Sequence, residues 1–164
     1  PYEEGFMKNR FADRTFIMPD QKQRESAVSM KMNPIKSTVN GKRIMIVDDS
    51  IVRGTTLKKL VAMLRKAGAK EVHVRVGSPP IIAPCYYGVD MKSRDQFIAN
   101  RHSVEEIREI IGADSLGYIS IEGLIEAIGF KEKDLCLACV NGRYPTNIPG
   151  EVHRFQTNLR QDFN

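Results

Sequence analysis

The sequence predicts an α/β protein built on an open parallel sheet. Three observations point there. Two strand-like runs flank an amphipathic helix with short connections, which makes a βαβ unit. The first run, Arg43 to Asp49, holds four consecutive apolar residues and ends on two acids. Further amphipathic helix patterns with clear stops follow downstream.

The elements follow in chain order. Pro1 to Gly41 is poor in apolar periodicity, rich in Lys, Arg, Gln, Ser and Met, and punctuated by Pro19 and Pro34. It predicts a long loop or marginal helix, not a core element. Ile44-Met45-Ile46-Val47 predicts a strand buried on both faces, as parallel sheets require. Ser50 to Thr56 predicts a turn. Leu57 to Ala67 predicts a helix, with Leu57, Leu60, Val61 and Leu64 on one face and Gly68 as its stop. Glu71 to Val76 predicts the second strand, ending at Gly77-Ser78-Pro79-Pro80. Ser103-Val104-Glu105-Glu106 has capping-box spacing, so a helix should run to Ile111 before Gly112. Leu116 to Ile119 predicts a short strand, and Ile121 to Ile128 a helix stopped by Gly129. After Cys136 few core signals remain, and the polar stretch Glu151 to Asn164 suits a surface helix. There is no internal repeat and no low-complexity segment.

Composition narrows the class. The 164 residues are 41% hydrophobic and 27% charged, with 12 Gly and 8 Pro. This excludes disordered, collagen-like and disulfide-framework proteins. No apolar run approaches the roughly 18 residues of a membrane helix, and no secretory signal opens the chain. The chain starts at Pro1 without an initiator Met, which reads as a fragment of something larger. A net charge of +5 suits an anionic ligand or an ordinary solvated surface. With no Trp and 7% aromatics, stacking platforms for nucleic acid are scarce. Three cysteines without a secretion signal predict thiols or metal ligands in a reducing cytoplasm.

The stretch Ile44 to Thr56 carries the chemistry. A buried strand delivers Asp48 and Asp49 to its C-terminal edge, where ligands bind in open α/β sheets. Gly54, Thr55 and Thr56 open a helix whose unpaired N–H groups and positive dipole end bind phosphate. Acids beside a phosphate make sense if they hold diol hydroxyls or an oxygen-liking cation such as Mg²⁺. The implied ligand is a sugar phosphate with a free diol. The plainer alternative is that the acids cap the helix and Gly54 turns the chain. Cys136-Leu137-Ala138-Cys139 leaves redox, zinc, iron–sulfur or no role open, and the following Asn141-Gly142 and Tyr144-Pro145 favour a loop there.

Those thirteen residues resemble the phosphoribosylpyrophosphate (PRPP) motif of type I phosphoribosyltransferases, which have a Rossmann-like open sheet. The chain further resembles the C-terminal part of the glutamine PRPP amidotransferase family. Lys8-Asn9-Arg10-Phe11, Arg14-Thr15-Phe16-Ile17-Met18-Pro19, Ile110-Ile111-Gly112-Ala113-Asp114 and Asn141-Gly142-Arg143-Tyr144-Pro145-Thr146 carry that resemblance. It covers nearly the whole chain and thins after about Gly150.

The resemblance implies a transferase sheet incomplete at its N-terminal side over residues 1–135, with 14–41 as a mobile active-site loop. Residues 136–164 are then a C-terminal extension bearing the Cys-x-x-Cys pair. The family makes 5-phosphoribosylamine and pyrophosphate from PRPP and glutamine-derived ammonia, in the first step of purine synthesis. By resemblance Asp48 and Asp49 bind the ribose hydroxyls and Mg²⁺. Ser50, Val52, Arg53, Gly54, Thr55 and Thr56 wrap the 5′-phosphate. Lys31 meets the pyrophosphate. Arg14 and Ile17 help form an ammonia path, and Phe97 lines it, although for Phe97 an ordinary core position is the plainer reading.

One branch of the family holds a [4Fe–4S] cluster on four cysteines. Cys136, Cys139 and Cys85 match three of them, and the fourth lies upstream of Pro1. Zinc on the three thiolates, or free thiols, are the alternatives. The glutaminase nucleophile and the upstream half of the transferase have no counterpart in these residues. The resemblance also implies purine nucleotides as inhibitors and a homo-oligomer at full length. Two rivals stand beside this reading: a non-catalytic PRPP or purine-nucleotide sensor, and a phosphoribosyltransferase acting on a base.

Overall fold

A computed structural model describes residues 2–8, 32–89 and 94–148. Strands β1 (Phe6–Lys8) and β2 (Met32–Pro34) form an antiparallel pair, and a one-turn helix α1 (Lys36–Val39) follows. Then come β3 (Arg43–Asp48), α2 (Thr55–Lys66), β4 (Glu71–Val76), α3 (Val104–Ile111), β5 (Ser115–Tyr118), α4 (Ile121–Ile128) and α5 (Ala138–Asn141). Short 3-10 turns lie at Arg94–Gln96, Ile98–Asn100 and Glu132–Asp134.

The parallel sheet has strand order β3-β4-β5. Arg43 pairs Glu71 and Asp48 pairs Val76, while His73 pairs Ser115 and Val76 pairs Tyr118. Both crossovers step in the same direction across the sheet. Right-handed connections therefore put α2 and α3 on one face, where they pack on each other and on β4 and β5. Leu57, Leu60, Val61 and Leu64 of α2 are buried there, as the helical period requires. The core adds Val72, Val74, Val76, Ile107 and Ile111, and Ile51 from the loop after β3.

The opposite face is open among the described residues, which corrects the expectation of a strand buried on both sides. Met45 is 63% and Val47 72% exposed, while Ile44 and Ile46 turn to the helices. A second correction concerns the first stretch. Val39 is fully buried in the main core, and Phe6 packs against it. Residues 9–31, which hold most of the expected loop, lie outside the described residues.

A second, smaller core unites Ile81, Phe97, Leu137 and Val140, with Val52, Ile121, Leu124, Ile125, Leu135 and Cys139 packed against it. The segment after Cys136 thus does carry core residues, in α5 and just before it. They escaped notice because one helical turn is too short to show a period. The expected helix at 151–164 lies outside the described residues. Among the described residues no helix is long and apolar enough to cross a membrane.

Candidate functional site

All three strands run the same way, so their following loops gather at one edge. Asp48 is the last residue of β3, half-buried, and Asp49 beside it is exposed. The Gly77 N–H donates to the Asp48 carbonyl at 2.8 Å, joining the ends of β3 and β4. The Asp49 N–H donates to Asp48 Oδ1 at 3.1 Å, and the Ser50 N–H to Asp49 Oδ1 at 2.7 Å. Burial pushes the Asp48 carboxyl above its ordinary value. The Asp49 N–H pulls the other way, and the negative charge of Asp49 adds to the rise. Two adjacent carboxylates, one desolvated, gain when hydroxyls or a cation share the charge.

Two apolar anchors set the loop between the acids and α2. Ile51 is buried in the main core, whereas Val52 packs on the second core. The Ile98 N–H donates to the Val52 carbonyl at 2.9 Å. Gly54 then starts α2 with φ +73°. A Cβ on Gly54 would sit 3.1 Å from Ile98 Cδ1, in a backbone region that L side chains rarely adopt. Having no side chain, Gly54 cannot cap the first-turn N–H groups of Thr55, Thr56 and Leu57. The contrast with α3 and α4 is informative. Ser103 caps α3 in a full capping box with Glu106, and the Ser120 hydroxyl accepts from the Gly123 N–H at the start of α4. Unlike those two, the helix beside the acids leaves its first turn for an outside acceptor, with Thr55 and Thr56 exposed.

The predicted residues Asp48, Asp49, Ser50, Val52, Arg53, Gly54, Thr55 and Thr56 therefore meet at one edge. Arg53 contributes there through its backbone, since its guanidinium turns aside to the Gln96 side chain. A groove of about 400 Å³ beside the loop is lined by Arg53, Asp95, Gln96, Ile98, Arg101 and His102, among others, and neither acid lines it. Phe97 is 1% exposed inside the second core, on which Val52 also packs, a position that a core aromatic and the wall of an apolar path would share. Arg14, Ile17 and Lys31 lie outside the described residues. Gln96, Ile98 and Asn100 line or back this edge and were not singled out. Their signal is spatial, because each acts through a partner remote in sequence.

The thiols sit on segments that hold one another. The Ile82 and Ala83 N–H groups donate to the Cys139 carbonyl at 2.9 and 3.1 Å. The Tyr144 hydroxyl donates to the Pro84 carbonyl at 2.8 Å, and the Tyr144 ring tilts against Tyr86 at 5.2 Å between centroids. Cys85 Sγ accepts the Tyr87 N–H. Cys139 lies in α5 and Cys136 just before it, not both in a loop. Burial raises the Cys139 thiol, and the charges of Cys85 and Cys136 raise it further. Thiols of this kind ligate soft metals once they lose their protons, so the donor chemistry alone would suit a thiolate-bound metal or cluster. Among the described residues, no group of three His, Cys, Asp or Glu side chains is assembled to hold a metal ion.

A phosphate-seeking helix start after a strand that ends in paired acids defines a phosphoribosyltransferase fold. Residues 10–77 match the family described as phosphoribosyl transferase domain. The chain is 59% identical over 148 residues to the amidophosphoribosyltransferase of Methanocaldococcus jannaschii, covering 90% of this chain and 31% of the relative. It is 55% identical over 156 residues to that of Methanothermobacter thermautotrophicus, covering 95% of this chain and 33% of the relative. The glutamine PRPP amidotransferase of Bacillus subtilis, solved in complex with ADP and GMP, aligns with a TM-score of 0.80 at 54% identity. That alignment covers 92% of this chain and 34% of the other. The chain is thus similar to amidophosphoribosyltransferases over most of its own length, and it spans about a third of the length of the curated relatives it matches.

Proposed function

We propose that the chain supplies the PRPP-binding edge of an amidophosphoribosyltransferase that forms 5-phosphoribosylamine in purine synthesis. The carrying observation is the juxtaposition of Asp48 and Asp49 with the uncapped start of α2 at Gly54. The amides of Arg53 to Thr56 and the two threonine hydroxyls seat the 5′-phosphate. The carboxylates hold the ribose diol. Mg²⁺, when bound there, would neutralise the departing pyrophosphate. The nitrogen of ammonia forms a bond to the ribose C1 as the bond from C1 to the pyrophosphate oxygen breaks, and the nitrogen sheds a proton. The residues position and stabilise charge, and no covalent nucleophile is needed.

Further roles belong to the same proposal. Lys31 and Arg14 act on the pyrophosphate and the loop, and Ile17 and Phe97 line the ammonia path. The segment from residue 136 is an extension docked through the second core. Cys85, Cys136 and Cys139 are three ligands of a [4Fe–4S] cluster whose fourth thiolate comes from elsewhere in a longer chain. Purine nucleotides inhibit, as the ADP and GMP in the Bacillus subtilis structure suggest. The full-length protein is a cytoplasmic homo-oligomer.

The test is calorimetric titration of the full-length protein with PRPP and Mg²⁺, beside Asp48→Asn and Asp49→Asn. Loss of binding in the variants is expected. Equal affinity in all three proteins sinks the assignment. For the thiols, anaerobically purified protein should absorb in the visible and contain iron. A colourless sample with stoichiometric zinc rejects the cluster.

A further inference from the structure

The loop that starts α2 and the thiol-bearing segments share one residue between them. Asn100 Nδ2 donates to the Ile82 carbonyl at 3.1 Å and to the Arg94 carbonyl at 3.2 Å. Both partners are carbonyl oxygens, which only accept, so the amide nitrogen must be the group that faces them. Asn100 Oδ1 is buried and unpaired among the described residues. The Asn100 backbone N–H donates to the Phe97 carbonyl at 3.1 Å, closing the turn that presents Phe97 and Ile98.

On one side of Asn100 lies the phosphate loop. The Ile98 N–H holds the Val52 carbonyl, and Ile98 Cδ1 is the nearest atom to the space above Gly54. On the other side lie the thiols. Ile82, whose carbonyl Asn100 grips, donates its own N–H to the Cys139 carbonyl, three residues before Cys85. Arg94 Nη1 also reaches the Ile82 carbonyl, at 3.5 Å. The path Val52, Ile98, Asn100, Ile82, Cys139 thus consists of hydrogen bonds and one short turn, and it wraps the second core with Phe97 at its centre.

We propose that Asn100 is a positioning residue that makes the phosphate loop and the thiol segments one mechanical unit, so that ligand held at Gly54 to Thr56 orders residues 81–85 and the reverse. This rests on the PRPP reading given above. Asn100 touches no reacting atom. Its role is to fix Ile98, and through it Val52, against a segment that the Cys139 carbonyl holds in place.

The test uses the full-length protein with PRPP and Mg²⁺. Asn100→Ala should weaken PRPP binding about five- to tenfold, inside the roughly two- to thirtyfold range that residues within such networks command. Amide exchange at Ile82 and Ala83 should slow when PRPP binds the parent protein, and this response should vanish in Asn100→Ala. A purely structural role would lower stability without erasing a ligand-dependent response. Where Asn100→Ala does not fold, Asn100→Asp replaces it. Its carboxylate would face two carbonyl oxygens, so its PRPP affinity relative to the parent should fall as pH rises, because only the protonated form can donate. Affinity within twofold of the parent, exchange at Ile82 and Ala83 indifferent to PRPP, or a flat pH ratio for Asn100→Asp each overturns the proposal. Loss of binding in Asp48→Asn alongside any of these leaves the PRPP site standing and rejects the role of Asn100 alone.

Discussion

At the residue scale the site holds groups that cost stability. The Asp48 carboxyl is raised, chiefly by burial. Between the ordinary aspartate value of about 3.9 and the raised one, the folded chain keeps a proton that the unfolded chain has lost. Stability therefore falls as pH rises through that window. Asp48→Asn carries no such proton, so it should melt higher than the parent at neutral pH and equally near about pH 3. Parallel melting curves of the two proteins across pH check this, and a variant less stable at neutral pH contradicts it. Gly54 is the second such residue. Gly54→Ala forces a left-handed backbone that costs about 1–2 kcal/mol, and its methyl presses on Ile98. Denaturant unfolding should show at least that loss, together with weakened phosphate binding. Both residues stood out in the sequence, because two acids, a glycine and two threonines follow one another without a gap. What stayed hidden was Gln96 drawing the Arg53 side chain away, a contact across 43 positions.

At the element scale, local signals survived and shared ones did not. The capping box at Ser103 and the stops at Gly68, Gly112 and Gly129 depend on near neighbours, and each stands as expected. The four apolar residues of β3 could not reveal that only one face is covered, because a run without alternation fits either case. The hold of β5 on β4 was equally invisible. The Asp114 N–H donates to the Val72 carbonyl at 2.8 Å, and its carboxylate accepts the Val72 N–H at 2.6 Å and the Arg65 guanidinium of α2. The Val72 N–H, ahead of Arg65, keeps the Asp114 carboxyl below its usual range. Its contribution is present above the ordinary aspartate pKa and is lost as pH falls through the lowered value. Hydrogen bonds to a charged group contribute about 1.5–3 kcal/mol when buried. With the Asp114 side chain 37% exposed, solvent screening reduces the expected loss in Asp114→Asn to about 1 kcal/mol at neutral pH. The difference should close in strong acid, and a pH-independent loss would assign the effect to packing.

At the scale of the whole molecule, the second core ties the segment around α5 to the phosphate edge: Leu137 and Val140 share it with Phe97, and Val52 packs on it. The open sheet face raises the opposite issue. Parallel sheets in proteins are covered on both sides, yet Met45 and Val47 of β3 stand exposed between Arg43 and Arg75, and β3 is an edge strand among the described residues. An apolar face beside an unpaired strand edge invites association. The 164-residue chain by itself should therefore self-associate as its concentration rises, and Met45→Lys with Val47→Lys should shift it toward monomer. Neither side chain belongs to the main core, so the double variant should melt within about 0.5 kcal/mol of the parent, as surface substitutions do. Sedimentation velocity across a concentration series reads the first effect and denaturant unfolding the second. A parent chain that stays monomeric throughout would mean that this face is already covered.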